Sequence, residues 1–432
     1  MSRREIGILE RPPLGQSLML SLQHLFAMFG STVLVPNLLG VDPAICLLMN
    51  GIGTLLYIFI CQGKIPAYLG SSFAFIAPAG AVIGTLEAPG AGYGAALGGF
   101  IAAGVLFVIV ALIVQYAGTG WISVVFPPAA MGAIVAVIGL ELIPVAARMA
   151  GWIAKPDVPD WSPDGTVISV SVFTLLVTVL GSVLFRGFMK IIPILFGIVA
   201  GYVLAWLLGL TDFTKVSDAG WLASPTFTAP SFEWSAILTI LPAALVVVVE
   251  HIGHLIVTSN IVGKDLSKDP GLHRSMLSNG ISTILSGFAG STPNTTYGEN
   301  IGVLAITRVY STFVIGGAAV IAIVLSFLGK LSQLIAAIPE AVMGGVSLLL
   351  FGVIAASGLR MLVESKVDYS KPVNLFLTTV VLVTGLSGVT IKAGDFSLSG
   401  MALATVVAIV LSLLFKLFER LGWSNEKEED AH

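Results

Sequence analysis

Uncharged stretches of about 20 residues, the length of helix that crosses a bilayer, recur from one end of this chain to the other. Each is apolar on all sides, and a soluble domain has no core large enough to swallow so many. Composition points the same way. Of 432 residues, 56% are hydrophobic and only 10% are charged, too few charges to coat a water-facing surface. The solvent must be lipid, and the repetition implies a bundle of spans and not a single anchor.

The windows between ionisable residues predict spans near 14–35, 43–62 and 66–86, two between 90 and 143, then 166–185 and 190–210. A second set follows near 234–258, 274–290, 294–307, 309–329, 336–359, 372–391 and 397–418, for fourteen in all. The expected fold is therefore an all-α polytopic membrane protein. With both termini cytoplasmic, only Arg148, Lys155, Lys215, Lys330 and Lys392 of the 21 basic residues fall outside, as the positive-inside rule demands. The long outside loops, 146–165 and 211–232, are rich in Pro, Asp and Trp and read as external caps. The N-terminus stays polar to about Gln16 and enters a full-length span without a small-residue cleavage site, so it is read as retained. Residues 424–432 read as a disordered acidic cytoplasmic tail.

Several function classes are excluded. A formal net charge of -3 without a basic tract argues against a nucleic-acid partner. Cys46 and Cys61 stand at opposite ends of one span and cannot form a disulfide within the chain. No Gly-x-Ser-x-Gly, His-Glu-x-x-His or paired-aspartate motif supports an intramembrane hydrolase. Nothing implies a cofactor, and an enzyme is not expected.

Three local matches link the two halves in order. Leu22-Gln23-His24-Leu25 resembles Ile252-Gly253-His254-Leu255, and Gly70-Ser71-Ser72 resembles Gly290-Ser291-Thr292. The most specific pairs Pro127-Pro128-Ala129-Ala130-Met131-Gly132 with Pro339-Glu340-Ala341-Val342-Met343-Gly344. Seven spans is an odd number, so the second copy enters from the opposite side, giving a 7+7 inverted repeat of the secondary-transporter kind. Ligands in such folds sit where the repeats meet.

Two segments do not read as ordinary helices. The third, Gly70-Ser71-Ser72-Phe73-Ala74-Phe75-Ile76-Ala77-Pro78, alternates small polar and aromatic residues up to a proline. The tenth, Gly290-Ser291-Thr292-Pro293-Asn294-Thr295-Thr296-Tyr297-Gly298-Glu299-Asn300, places polar, β-branched and helix-breaking residues at membrane depth. That is tolerable only inside protein, where the backbone groups find partners. Occupying matching places in inverted copies, the two should pair as short antiparallel strands, each followed by a half-helix whose N-terminal end faces the bilayer midplane.

Few ionisable residues lie far from a span end: His24, Glu250, His251, His254 and Glu299. Intramembrane acids are functional by default. Glu250 and His254 stand four apart and share a helical face, so they can pass a proton between them. His251 points away and reads as structural; His24 reads equally as a satisfied core histidine or a functional one. Glu141 and Glu340 lie near span ends, where an interfacial role is expected. Glu250, His251 and His254 could also serve a metal, but no Cys or second His-Asp set completes a site, and none is expected.

Glu299-Asn300-Ile301-Gly302-Val303-Leu304-Ala305-Ile306-Thr307-Arg308 resembles the signature of the nucleobase-ascorbate transporter family: Gln, Glu or Pro, then Asn-x-Gly, four residues, and Thr followed by Arg, Lys or Gly. Gln23-His24 is similar to the family's other short motif, and the likeness spans nearly the whole chain. The resemblance implies a core domain (1–116 and 233–330) and a gate domain (117–232 and 331–423), with substrate held between them and the core moving against the gate. It implies proton-coupled import of uracil across the bacterial inner membrane, xanthine or urate being the nearest alternative. Glu250 and Glu299 would accept from the pyrimidine N–H groups, and the backbone N–H groups of Phe73 and Gly298 would donate to its carbonyls. His254 would tune Glu250, while His24 and Tyr297 would act through water. A homodimer through the gate domain is implied too. Phe351 stands where tyrosine is expected, which bears on one gate contact. The inverted architecture also occurs in anion transporters and channels of the sulfate-permease type, whose pathways should lack a pair of acids.

Overall fold

A computed structural model describes residues 5–85, 91–155, 158–187, 189–393 and 396–423. The first predicted span is two helices, α1 (Leu14–Ala27) and α2 (Phe29–Leu39), broken at Met28. Next come α3 (Pro43–Ile60), the short strand β1 (Leu69–Ser71), and α4 (Ile76–Thr85), entered through a single 3-10 turn at Phe73–Phe75. The helices α5 (Ala91–Ala117), α6 (Ile122–Val125), α7 (Pro128–Met149), α8 (Gly165–Leu184), α9 (Pro193–Leu207) and α10 (Thr214–Asp218) complete the first half.

The second half opens with α11 (Trp234–Val262) and α12 (Leu272–Ala289), then strand β2 (Asn294–Thr296) running into α13 (Gly298–Thr307). It continues through α14 (Thr312–Ser326), α15 (Gly329–Ala336), α16 (Glu340–Glu364) and α17 (Pro372–Leu386), and ends with a hairpin, β3 (Thr390–Ala393) and β4 (Phe396–Ser399), before α18 (Gly400–Arg420). Among the described residues, eight helices are long and apolar enough to cross a membrane, and four more apolar helices are 10–17 residues long. Large hydrophobic side chains such as Leu180, Val203, Val324 and Phe376 lie exposed on the outer surface, as lipid solvation requires. The protein is a helical, polytopic membrane protein.

Helix starts follow local chemistry. Proline occupies the first turn of α3, α7, α9 and α17, where its missing N–H costs no hydrogen bond. Asp42 caps α3 by accepting from the Ala44 N–H at 2.9 Å, and Asp164 caps α8 through the Thr166 N–H at 2.7 Å.

Packing pairs distant segments. Helix α5 lies on α12, α3 on α14, α7 on α16, α8 on α9 and α17 on α18. Small residues permit the close approaches: a Cβ at Gly280 would stand 2.8 Å from the Gly104 carbonyl, and one at Gly132 would stand 2.9 Å from the Gly358 carbonyl.

The two broken segments pair antiparallel, with Leu69 opposite Thr296, Gly70 opposite Thr295 and Ser71 opposite Asn294. Neighbouring helices satisfy what the two-stranded ladder leaves over. The Leu69 N–H donates to Thr54 Oγ1 at 2.9 Å on α3, and Thr283 of α12 both accepts from the Asn294 N–H (3.3 Å) and donates to its carbonyl (3.2 Å).

Some expectations need revision. The predicted span 372–391 ends as a helix at Leu386, because Ser387-Gly388 breaks it with Gly388 in the left-handed region (φ 72°). The β-branched run Val389-Thr390-Ile391 then enters the β3–β4 hairpin, so the last helix starts at Gly400 instead of 397. The loop 211–232 holds α10 and an antiparallel bridge between Leu222 and Leu328. The tail expected at 424–432 lies outside the described residues.

Candidate substrate site

Phe73 opens the 3-10 turn that leads into α4, and Gly298 is the first residue of α13. First-turn N–H groups have no acceptor within their own helix and carry the positive end of its dipole. The β1–β2 pair holds both starts in place. Ser72 N–H donates to the Pro293 carbonyl at 2.9 Å, and Tyr297 N–H to the Tyr68 carbonyl at 3.0 Å. Across the pair, the Tyr297 hydroxyl donates to the Ser71 carbonyl at 2.9 Å. Gly70 makes room for that ring, since a Cβ there would overlap it.

A cavity of about 510 Å³ opens beside these starts, and Phe73, Glu250, His254, Tyr297, Gly298 and Glu299 all line it. A contiguous recess of about 130 Å³ shares Glu250, His254 and Gly298. His254 presents Nδ1 to Thr296 Oγ1 of β2 at 3.0 Å. Its Nε2 lies 3.3 Å from where a Cβ on Gly298 would sit, so glycine lets the imidazole lie against the start of α13.

His24 is buried but does not line the cavity. Asn300 Nδ2 donates to the His24 carbonyl at 3.0 Å and stands 3.2 Å from its Nδ1, which ties α1 to the half-helix that carries Glu299. His251 leaves the site altogether, its Nε2 standing 2.7 Å from Ser275 Oγ, which in turn is 2.5 Å from the Tyr57 hydroxyl. Phe351 of α16 is fully buried and packs edge-on to Phe73, ring centroids 5.9 Å apart. Glu141 accepts the Met401 N–H at the start of α18 (2.8 Å), and Glu340 pairs with Lys155 at 2.6 Å.

Sequence reasoning missed one wall. Val135 of α7, with Val353, Ile354, Ala356, Ser357 and Arg360 of α16, faces Glu250 and Glu299 across the cavity. Arg360 is mostly exposed, with Nε 3.6 Å from Glu364 Oε1. The available signal was the Pro127 and Pro339 repeat, which opens α7 and α16.

Chemically, the cavity offers two carboxylates, an imidazole, a phenol, a serine hydroxyl, two helix starts, apolar walls and the Arg360 guanidinium, which stands beside Glu364. That set suits a small polar ring.

Known proteins were compared with this chain. Residues 15–394 match the model described as the permease family. The chain is 66% identical over 426 residues to a uracil permease of Paenibacillus larvae, covering 99% of this chain and 100% of that protein. It is 64% identical over 421 residues to a uracil permease of Escherichia coli K12 (98% and 96% covered) and 47% identical over 424 residues to one of Bacillus subtilis 168 (96% of each). Among solved structures, the fold is similar to the murine solute carrier 26 member A9 anion transporter in its inward-facing state, with a TM-score of 0.69, 13% identity and 95% and 69% of the two chains covered. The transmembrane domain of the cyanobacterial bicarbonate transporter BicA matches with a TM-score of 0.61, 14% identity and 94% and 96% covered. A family match over most of the chain and relatives above 60% identity along nearly all of it place this protein in the permease family, as a membrane transporter and not an enzyme.

Proposed function

We propose that this permease imports uracil with a proton across the bacterial inner membrane, both termini lying in the cytoplasm. Support for uracil comes from the relatives that carry that name and from the placement of Glu250 and Glu299 in one cavity with the starts at Phe73 and Gly298. Uracil presents alternating N–H donors and carbonyl acceptors on its edge. Two carboxylates accept from the former and two backbone N–H groups donate to the latter, with no charge needed on the ligand. Two acids against the single Arg360, itself beside Glu364, weigh against an anion as the cargo.

Proton coupling falls to Glu250, with His254 beside it and His24 acting through water. Glu250 must share or hold a proton for the loaded protein to cross. The core domain (1–116, 233–330) moves against the gate domain (117–232, 331–423), carrying the broken segments past α7 and α16. In favour of fourteen segments in a 7+7 inverted repeat is the way contacts come in exchanged pairs: α1 with α14 and α11 with α5, α16 with α8 and α17 with α7, β1 with α3 and β2 with α12. Two copies would associate through the gate domain.

Uptake into proteoliposomes tests this reading. Purified protein should accumulate radiolabelled uracil under an inward proton gradient and release it when an uncoupler is added. Failure to accumulate uracil, together with accumulation of xanthine or urate under the same conditions, would reassign the substrate.

A further inference from the structure

Sharing no residue with the cavity, a groove of about 860 Å³ runs between α1, α3 and α14. Its walls are apolar and open: Leu14 is 80% exposed, Leu18 57%, Phe313 42% and Val320 49%. The hydroxyls within it are already used, Ser17 donating to the Pro12 carbonyl at 2.8 Å and Ser21 to the Val314 carbonyl at 2.7 Å. Their protons are therefore already committed to protein carbonyls. Gly316 leaves the floor open, for a Cβ there would sit 3.7 Å from Ile58 and 3.8 Å from Leu55.

At the mouth stands Arg11, its guanidinium 5.6 Å from the centroid of the Phe313 ring. Among the described residues no ion pair engages Arg11. The adjacent Glu10 turns its carboxylate to the Gly7 N–H at 3.2 Å. A guanidinium over an apolar trough fits a molecule with an anionic head and a hydrocarbon tail. Guanidinium binds phosphate oxygens in a bidentate fork, and a hydrocarbon chain fills an apolar trough by van der Waals packing.

We propose that this groove is a binding site for an anionic phospholipid, its phosphate on Arg11 and one acyl chain along α14 beside Gly316. Thermal unfolding of the delipidated full-length protein tests it, with phosphatidylglycerol, phosphatidylcholine or inorganic phosphate added. Phosphatidylglycerol should raise the midpoint by a few degrees more than phosphatidylcholine, inorganic phosphate should not raise it, and Arg11→Gln should erase the difference between the lipids. Gly316→Leu, which fills the trough, should blunt the response to both. Equal shifts with the two lipids, a shift with inorganic phosphate matching that of phosphatidylglycerol, or an Arg11→Gln protein that keeps the preference would each overturn the proposal. Arg11 lies outside the substrate cavity, so uptake can fail for other reasons without touching this result.

Discussion

The Tyr297 hydroxyl reaches the Ser71 carbonyl across 2.9 Å, so a side chain from one broken segment closes on the backbone of the other, 226 residues away. Tyr297→Phe keeps the ring over Gly70 but leaves a buried carbonyl without that donor. A loss of about 1–3 kcal/mol is expected, visible as a lower unfolding midpoint and weaker uracil binding. An unchanged midpoint would show that the contact contributes nothing.

Crowding at Gly70 gives a sharper test. A Cβ there overlaps the Tyr297 ring, which is buried and cannot swing aside without breaking the Ser71 contact. Gly70→Ala should abolish uptake in cells even where the protein reaches the membrane, as surface labelling would reveal. Gly298→Ala meets only the His254 ring, with Nε2 nearest at 3.3 Å, and should reduce uptake less.

For Glu250 the expectation concerns energy coupling. An inward charge at 100 mV contributes about 2.3 kcal/mol, on the order of a fifty-fold gradient. Glu250→Gln should lose accumulation against a gradient. If that variant still concentrates uracil at the normal rate in proteoliposomes, the coupling role belongs elsewhere.

Asn300 and His24 make a paired prediction. Asn300→Ala removes the donor to the His24 carbonyl and the neighbour of its Nδ1. Both His24→Ala and Asn300→Ala remove the contact between Asn300 Nδ2 and His24 Nδ1, while the His24 carbonyl survives in His24→Ala, so the two should be partly non-additive in a double-mutant cycle of uptake rates, with a coupling of about 0.5–3 kcal/mol. Strict additivity would separate the two residues.

Glu141 stands apart from the cavity, and its carboxylate receives the Met401 N–H at 2.8 Å. Glu141→Ala should lower the unfolding midpoint through loss of about 0.5–2 kcal/mol at the start of α18, while the KM for uracil stays unchanged. A raised KM with an unaltered midpoint would instead link Glu141 to transport.

Much of the architecture was legible before any coordinates. The uncharged windows found the long apolar helices, because hydropathy over a bilayer thickness is a local quantity. Gly290 to Asn300 read as non-helical because its proline, glycines and β-branched residues suit no helix, and the matching place of Gly70 to Pro78 pointed to antiparallel pairing; the pairing holds over Leu69–Ser71 and Asn294–Thr296, while Phe73–Pro78 and Gly298–Asn300 turn helical. The hairpin Thr390–Ser399 was misread as membrane span because short apolar β-branched runs look alike in strand and helix.

Sequence alone placed this chain in lipid, marked the segments at Gly70 and Gly290 as unlike ordinary helices, and singled out His24, Glu250, His251, His254 and Glu299 as ionisable residues far from a span end. Tertiary structure decided the register of Leu69 against Thr296, the arrival of Val135, Ser357 and Arg360 opposite the acids, the edge-on contact of Phe351 with Phe73, and the turning of His251 toward Ser275. The division has a physical cause. Solvation and backbone preference act on neighbours along the chain, whereas a cavity wall is made by helices that meet only after packing, when the small residues of α7 and α16 set how closely they approach.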